Sequence, residues 1–217
     1  MKRALFLLGS TRGKKTGTES TANYLGERLE GYEFEKRRAH EFFQDKEKTT
    51  SFIDELCESD LFVMLSPVYV HSLPWPFLEV LKAAADSRRK PTGKNAAAVI
   101  HSGYIEPVQR RASREICRNF CNEISMNWLG SIDFGASPLI DGKPLGDLGR
   151  LGKWIRSALD ETALCLSQGR EISIKAEKLM SKHLGFFPRR LLLSFLNIRT
   201  RIDARKKKLD LESRPWG

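Results

Sequence analysis

Short apolar runs alternate with longer periodic segments along this chain. Arg3 to Leu8 reads as a strand, and Thr18 to Leu29 as a helix with Ala22, Leu25 and Leu29 on one face. Thr16 followed by Glu19 fits a capping box that starts this helix. Tyr32 to Arg38 alternates as a second strand, and Phe52 to Cys57 reads as a short helix. Leu61 to Leu65 is a continuous apolar run, suited to a strand covered on both faces. The alternation then repeats. Pro74 to Ala85 predicts a helix opening at a proline, and Asn95 to Ile100 a strand. Pro107 to Asn122 predicts a helix with Val108, Ala112, Ile116 and Phe120 in one row. Trp128 to Phe134 is the fifth strand, and Leu148 to Ser167 a helix with Leu148, Leu151, Ile155 and Leu159 on one face. Five strands alternating with five helices predict an α/β fold, a parallel sheet with right-handed crossovers and helices on both sides. Ligands of such sheets bind beyond the carboxyl ends of the strands.

Composition narrows this only a little. At 217 residues, 41% apolar and 29% charged, the chain suits one globular domain with an appendage and excludes a disordered or fibrous protein. No apolar run approaches the roughly 20 residues that cross a bilayer. The start, MKRALFLLG, imitates a signal peptide, but its apolar segment is only Ala4 to Leu8 and no small-residue cleavage site follows, so it reads as a buried strand. Cys57, Cys117, Cys121 and Cys165 are too scattered for a disulfide framework and read as buried structural thiols of a cytoplasmic protein. The net charge is +10, and Glu171 to Gly217 carries +7 of it, from twelve basic and five acidic residues.

Three polar loops follow three apolar strands: GSTRGKKTGTES (9–20), SPVYVHSLPWP (66–76) and HSGYIEP (101–107). The first nearly matches the triphosphate loop G-x-x-x-x-G-K-[ST]. However, Gly9 and Gly13 are one residue too close, and Lys15 intervenes before Thr16. The dinucleotide pattern G-x-G-x-x-G is absent. What remains is a stretch dense in hydroxyls (Ser10, Thr11, Thr16, Thr18, Ser20) with Arg12, closing on a helix N-terminus. Hydroxyls and backbone amides can wrap one phosphomonoester there without a metal. The alternative is a polar strand-to-helix turn with no ligand.

GSTRGKKTGTESTANYLGERL, SPVYVHSLPWPFLEVL and HSGYIEPVQRRASREICRNFCNEISMNWLG, in that order and at suitable intervals, resemble the flavodoxin-like NAD(P)H-dependent FMN reductases over about residues 1 to 170. The resemblance implies a flavodoxin-like three-layer sandwich, with a five-stranded parallel sheet of order 2-1-3-4-5. It implies FMN as cofactor, NADPH or NADH as donor, and a homodimer. The flavin phosphate would lie in the first loop at Ser10, Arg12, Thr16, Gly17, Thr18 and Ser20. The second loop, Pro67, Val68, Tyr69, Val70 and His71 to Ser72, would run along the isoalloxazine edge. The third, Ser102, Gly103 and Tyr104 to Glu106, would approach from the other side. His71 departs from the pattern, since relatives often place an acid there. No acid–base residue is assigned, because the flavin itself accepts the hydride. His71 and His101 are candidates for steadying a reduced flavin or a substrate oxygen, or for simply bonding backbone, and Glu106 complements a helix N-terminus.

Residues 171–217 read as a basic helical extension. From Phe186 to Lys208, Leu191, Phe195, Ile198 and Ile202 share one side, with Leu192 and Leu196 beside them and basic residues crowding the remainder. Such a helix packs on protein, on the body or a second subunit, or lies peripherally on an anionic membrane; nucleic acid is the least favoured partner. The expected activity is an FMN-dependent NAD(P)H oxidoreductase reducing a small acceptor such as a quinone, flavin or nitro compound. The alternatives are a flavodoxin-type electron carrier and a non-catalytic membrane or interaction module.

Overall fold

Strand β1 (Lys2–Leu8) lies between β2 (Tyr32–Arg38) and β3 (Leu61–Pro67). The sheet continues through β4 (Asn95–His101) to β5 (Asn127–Phe134), giving the order β2-β1-β3-β4-β5 with every neighbouring pair parallel. This computed structural model describes residues 1–13, 15–42, 44–150 and 152–180, with positions 194, 197, 198, 201, 202, 204 and 205.

Alternation within each strand divides the core into two layers. Phe6, Leu8, Val63, Leu65, Ala97 and Val99 face α1 (Gly17–Gly26) and α5 (Lys153–Ser167). Leu5, Leu7, Phe62, Met64, Ala96, Ala98 and Ile100 face α2 (Lys46–Glu58), α3 (Trp75–Asp86) and α4 (Val108–Glu123). Successive side chains on a strand point to opposite faces, so a strand covered on both sides must be apolar throughout. Central β3 is buried over its whole length, whereas edge strand β2 alternates. Each fully buried large side chain of β3 contributes about 1.5–3 kcal/mol.

The helices depart from the sequence pattern where tertiary packing decides. α2 begins at Lys46, well before Phe52, because the Asp45 side chain caps it, accepting from the Lys48 amide at 3.0 Å. Its early turns are polar and carry no periodic signal. α1 stops at Gly26, where a Cβ would lie 2.5 Å from the Phe34 ring, although Leu29 still joins the core. The predicted row on α4 is corrected: Val108 is 70% exposed and Ala112 is exposed, and the buried face is Arg110, Ser113, Cys117, Phe120 and Cys121. The helix expected from Leu148 begins at Lys153, after a short 3-10 turn at Leu145–Leu148; Leu151 lies outside the described residues.

Met1–Ser181 forms one compact unit, which extends past residue 170 to include α6 (Ile174–Met180) packed with α5 and β5; Lys182–Gly217 forms a second. Most of the basic stripe from 186 to 208 lies outside the described residues. Of its described apolar positions, Ile198 and Ile202 are helical and 58% and 47% exposed. Among the described residues, no helix is long and apolar enough to cross a membrane. The four cysteines are free thiols; Cys117, Cys121 and Cys165 are buried and Cys57 is half-buried. Burial pushes the Cys121 thiol up to about 12 and Cys117 higher still, as expected of packing groups.

Candidate functional site

The three polar loops leave the carboxyl ends of β1, β3 and β4, which are consecutive in the sheet, so the topology sets them side by side. Loop 1 enters through Gly9. Its amide donates to Leu65 O at 2.8 Å, and a Cβ there would fall 2.3 Å from Ser66 Oγ and 2.9 Å from the Phe77 ring. Only glycine permits that approach of β1 to β3. At the far end Thr16 caps α1, its hydroxyl accepting from the Glu19 amide at 3.2 Å. The Glu19 side chain does not close the capping box. It pairs with Lys36 Nζ at 2.6 Å and Arg38 Nη2 at 2.9 Å; burial opposes its ionisation, and these two cations hold it below the usual range.

The six residues of loop 1 expected at a phosphate divide by what they already bond. Ser10 Oγ accepts from the Arg12 amide at 3.3 Å and Thr16 Oγ1 from Glu19, so each hydroxyl keeps its proton to donate. The Gly17 and Thr18 amides open α1, where no preceding turn supplies carbonyls for them. Arg12 is exposed. The other two hydroxyls have side-chain or carbonyl partners: Thr18 Oγ1 and His101 Nε2 share a hydrogen bond of 2.8 Å, and Ser20 Oγ donates to the Thr16 carbonyl at 3.1 Å. Two hydroxyl donors, two helix-opening amides and a guanidinium fit a phosphomonoester, and Thr18 and Ser20 enter such a site through backbone or through support of the loop. Across the loop, a Cβ on Gly142 would come within 2.1 Å of the Lys15 carbonyl. A cavity of about 870 Å³ opens on the outer flank of α1, between β2 and residues 142–146.

Loop 2 is a tight two-residue turn. Tyr69 and Ser72 exchange backbone hydrogen bonds of 2.9 and 3.1 Å, which leaves Val70 and His71 at its tip with φ of +50° and +64°. Hairpin geometry demands positive φ at both tip positions, a place usually filled by Asn-Gly. Val70 is 92% exposed and His71 is also exposed, while Pro67 and Val68 are drawn into the sheet edge. The Val68 amide donates to the His101 carbonyl at 2.8 Å.

His101 therefore joins all three loops. Its carbonyl anchors loop 2, its ring meets Thr18 of loop 1, and its chain continues into loop 3. It is 5% exposed and stacks on Phe134, and burial, with a smaller push from the Arg110 charge, lowers its pKa to about 4. Its ring bonds a hydroxyl and not backbone. Ser102 is buried, Gly103 is exposed, and the Tyr104 ring is 64% exposed. With Tyr69 and Trp75, also exposed, Tyr104 gives the three-loop edge an aromatic surface.

Sequence reading missed several contributors. His40 Nδ1 lies 3.3 Å from the Ser10 carbonyl, bordering loop 1 from the end of β2. Arg110, Asp133 and Gly135 brace loop 3 from α4 and β5. No local pattern announces them, although Arg110 does share the 3–4 residue spacing of the true buried face of α4.

Compared by sequence, the chain matches no protein-family profile and no curated protein. Solved structures do resemble it. RosB, with its bound 8-demethyl-8-formylriboflavin-5'-phosphate intermediate, aligns over 99% of this chain and 90% of its own, at 12% identity and a TM-score of 0.60. The apo NADH:FMN oxidoreductase EMOB aligns over 86% of this chain and 96% of its own, at 14% identity and a TM-score of 0.57. An azoreductase from Bacillus anthracis str. Sterne aligns over 74% of this chain and 99% of its own, at 10% identity and a TM-score of 0.53. With the strand order, these likenesses make the fold flavodoxin-like.

Proposed function

We propose that the protein is an FMN-dependent NAD(P)H oxidoreductase that reduces a small acceptor such as a quinone, flavin or nitro compound. The observation that carries this reading is loop 1: Ser10 and Thr16 each accept from a backbone amide and retain a hydroxyl proton to donate, and Thr16 caps α1 where its opening amides lack carbonyl partners. The neighbouring loops supply the rest of a flavin site on the same edge, with Tyr69, Trp75 and Tyr104 as aromatic surface. The names of the fold neighbours, an NADH:FMN oxidoreductase and an azoreductase among them, support the same class. When bound, FMN supplies the redox chemistry. In this reading Ser10, Thr16, Gly17 and Thr18 hold its phosphate, with Arg12 adding charge complementarity. Loops 2 and 3 line the ring, and the exposed tip of loop 2 leaves room for donor and acceptor. Neutral His101 moves no proton; it holds the three loops in register.

The test is the visible spectrum of the purified protein after incubation with FMN and removal of unbound cofactor. Near-stoichiometric retention with a shifted flavin spectrum, bleached rapidly by NADPH or NADH, is the expected result. A folded protein that stays colourless refutes the reading, and one that retains flavin but bleaches with neither nicotinamide is an electron carrier instead.

A further inference from the structure

A buried cation lies beneath loop 3, and the reading above gives it no task. Arg110, 2% exposed, projects from the inner face of α4. Its Nε donates to Asp133 Oδ1 at 2.8 Å. Its Nη1 donates to Ser102 Oγ at 2.9 Å and to the carbonyls of Tyr104 and Glu106 at 2.9 and 3.1 Å, and Nη2 reaches the Ile105 carbonyl at 3.5 Å. A cation present only to neutralise Asp133 would need none of these carbonyls. The planar fork gathers three consecutive ones from a single loop.

That gathering fixes which way the loop's donors point. No peptide here is cis, and in a trans peptide the carbonyl and the following N–H point in opposite directions. With the Tyr104 and Ile105 carbonyls drawn inward, the Ile105 and Glu106 amides turn outward. Gly135 packs against the same peptides: a Cβ there would lie 2.3 Å from the Tyr104 carbonyl oxygen and 2.6 Å from Ile105 Cα. Charge accompanies the geometry. Arg114 Nη1 also donates to Asp133, at Oδ2 and 3.0 Å, so two guanidinium groups share one carboxylate and the cluster carries a net positive charge.

We propose that Arg110 is a positioning residue for the ring end of the flavin site: it orients loop 3 so that the Ile105 and Glu106 amides face the ring, while the Arg110–Asp133–Arg114 cluster favours the more electron-rich, reduced flavin over the oxidised one. This inference rests on the FMN reading.

Two substitutions in the full-length protein separate orientation from charge, read by FMN dissociation constant and by the midpoint potential of bound FMN. Arg110→Lys keeps the charge but cannot fork to three carbonyls, so FMN should bind at least about tenfold more weakly with little change in potential. Arg114→Met leaves every loop contact in place and removes one charge. It should bind oxidised FMN within about twofold of wild type and reduced FMN about tenfold more weakly, a fall of about 30 mV for a two-electron couple. Wild-type affinity in Arg110→Lys overturns the positioning role, and an unmoved potential in Arg114→Met overturns the electrostatic one. If Arg110→Lys does not fold by near-UV circular dichroism, Gly135→Ala takes its place: it presses on the same peptides and should cost the same affinity, and unchanged binding overturns the proposal. Wild-type protein that retains no FMN overturns the parent reading and this one together, whereas retention with unaltered variants overturns this one alone.

Discussion

Acidification should loosen this fold through His101 in particular. The buried ring holds a pKa of about 4 against an ordinary 6.5, because desolvation penalises the imidazolium and the Arg110 charge adds to it. As pH falls below 6.5 the unfolded chain takes up a proton that the folded chain refuses until about pH 4. Stability from this residue is therefore full above 6.5, declines through that window and has nothing further to lose below about 4. At about 1.4 kcal/mol per pH unit the total is about 3 kcal/mol, of which about 2 kcal/mol is gone by roughly pH 5. Carboxylates such as Glu19, held low by Lys36 and Arg38, also lose stability in acid, at lower pH. A comparison with His101→Gln subtracts them, since glutamine can reach the Thr18 hydroxyl but does not titrate. The assay is urea unfolding of both proteins at about pH 7 and pH 5, with wild type expected to lose about 2 kcal/mol more than the variant. Equal losses would refute a neutral, buried His101 as the tie among the three loops.

Substitutions at three further positions address the loops. Thr16→Ala removes the cap of α1 and should cost about 1 kcal/mol in chemical denaturation together with some FMN affinity, while Thr16→Ser restores both; a neutral Thr16→Ala would mean the cap does not hold loop 1. Gly142→Ala forces a Cβ against the Lys15 carbonyl at a φ of +70° and should destabilise by about 1–3 kcal/mol and weaken FMN binding, although residue 142 is not expected to touch the phosphate. Val70→Gly should do the opposite for stability: relief of about 1–2 kcal/mol of left-handed strain exceeds the roughly 0.5–1 kcal/mol entropic penalty of glycine. No packing is lost at a side chain 92% exposed, so the melting temperature should rise by a few degrees, and a fall would show that the tip is unstrained.

Local chemistry was enough to read some of this protein. The apolar runs of β1, β3 and β4 are buried because a strand covered on both faces has no polar side to show, and that pattern is visible in one dimension. The Thr16 cap likewise follows from a hydroxyl three residues before a free amide. The start of α2 and the buried face of α4 were not readable. The first is set by an Asp45 cap ahead of polar turns, and the second by a buried arginine whose partners lie on loop 3 and β5.

By itself, then, the sequence determined the alternation of strands and helices, the three polar loops at the strand ends, and a first loop rich in groups that hold phosphate. Only tertiary structure decided that Thr18 is tied to His101, 83 residues away, whereas the bond of Ser20 to the Thr16 carbonyl is the local four-residue spacing of a helix and Ser10 and Thr16 accept from nearby amides and keep their protons. It also decided that His101 is a buried tie and Arg110 a brace for loop 3. Burial and the convergence of distant backbone carbonyls are properties of the folded chain, and they set the chemistry of a side chain as firmly as its identity does.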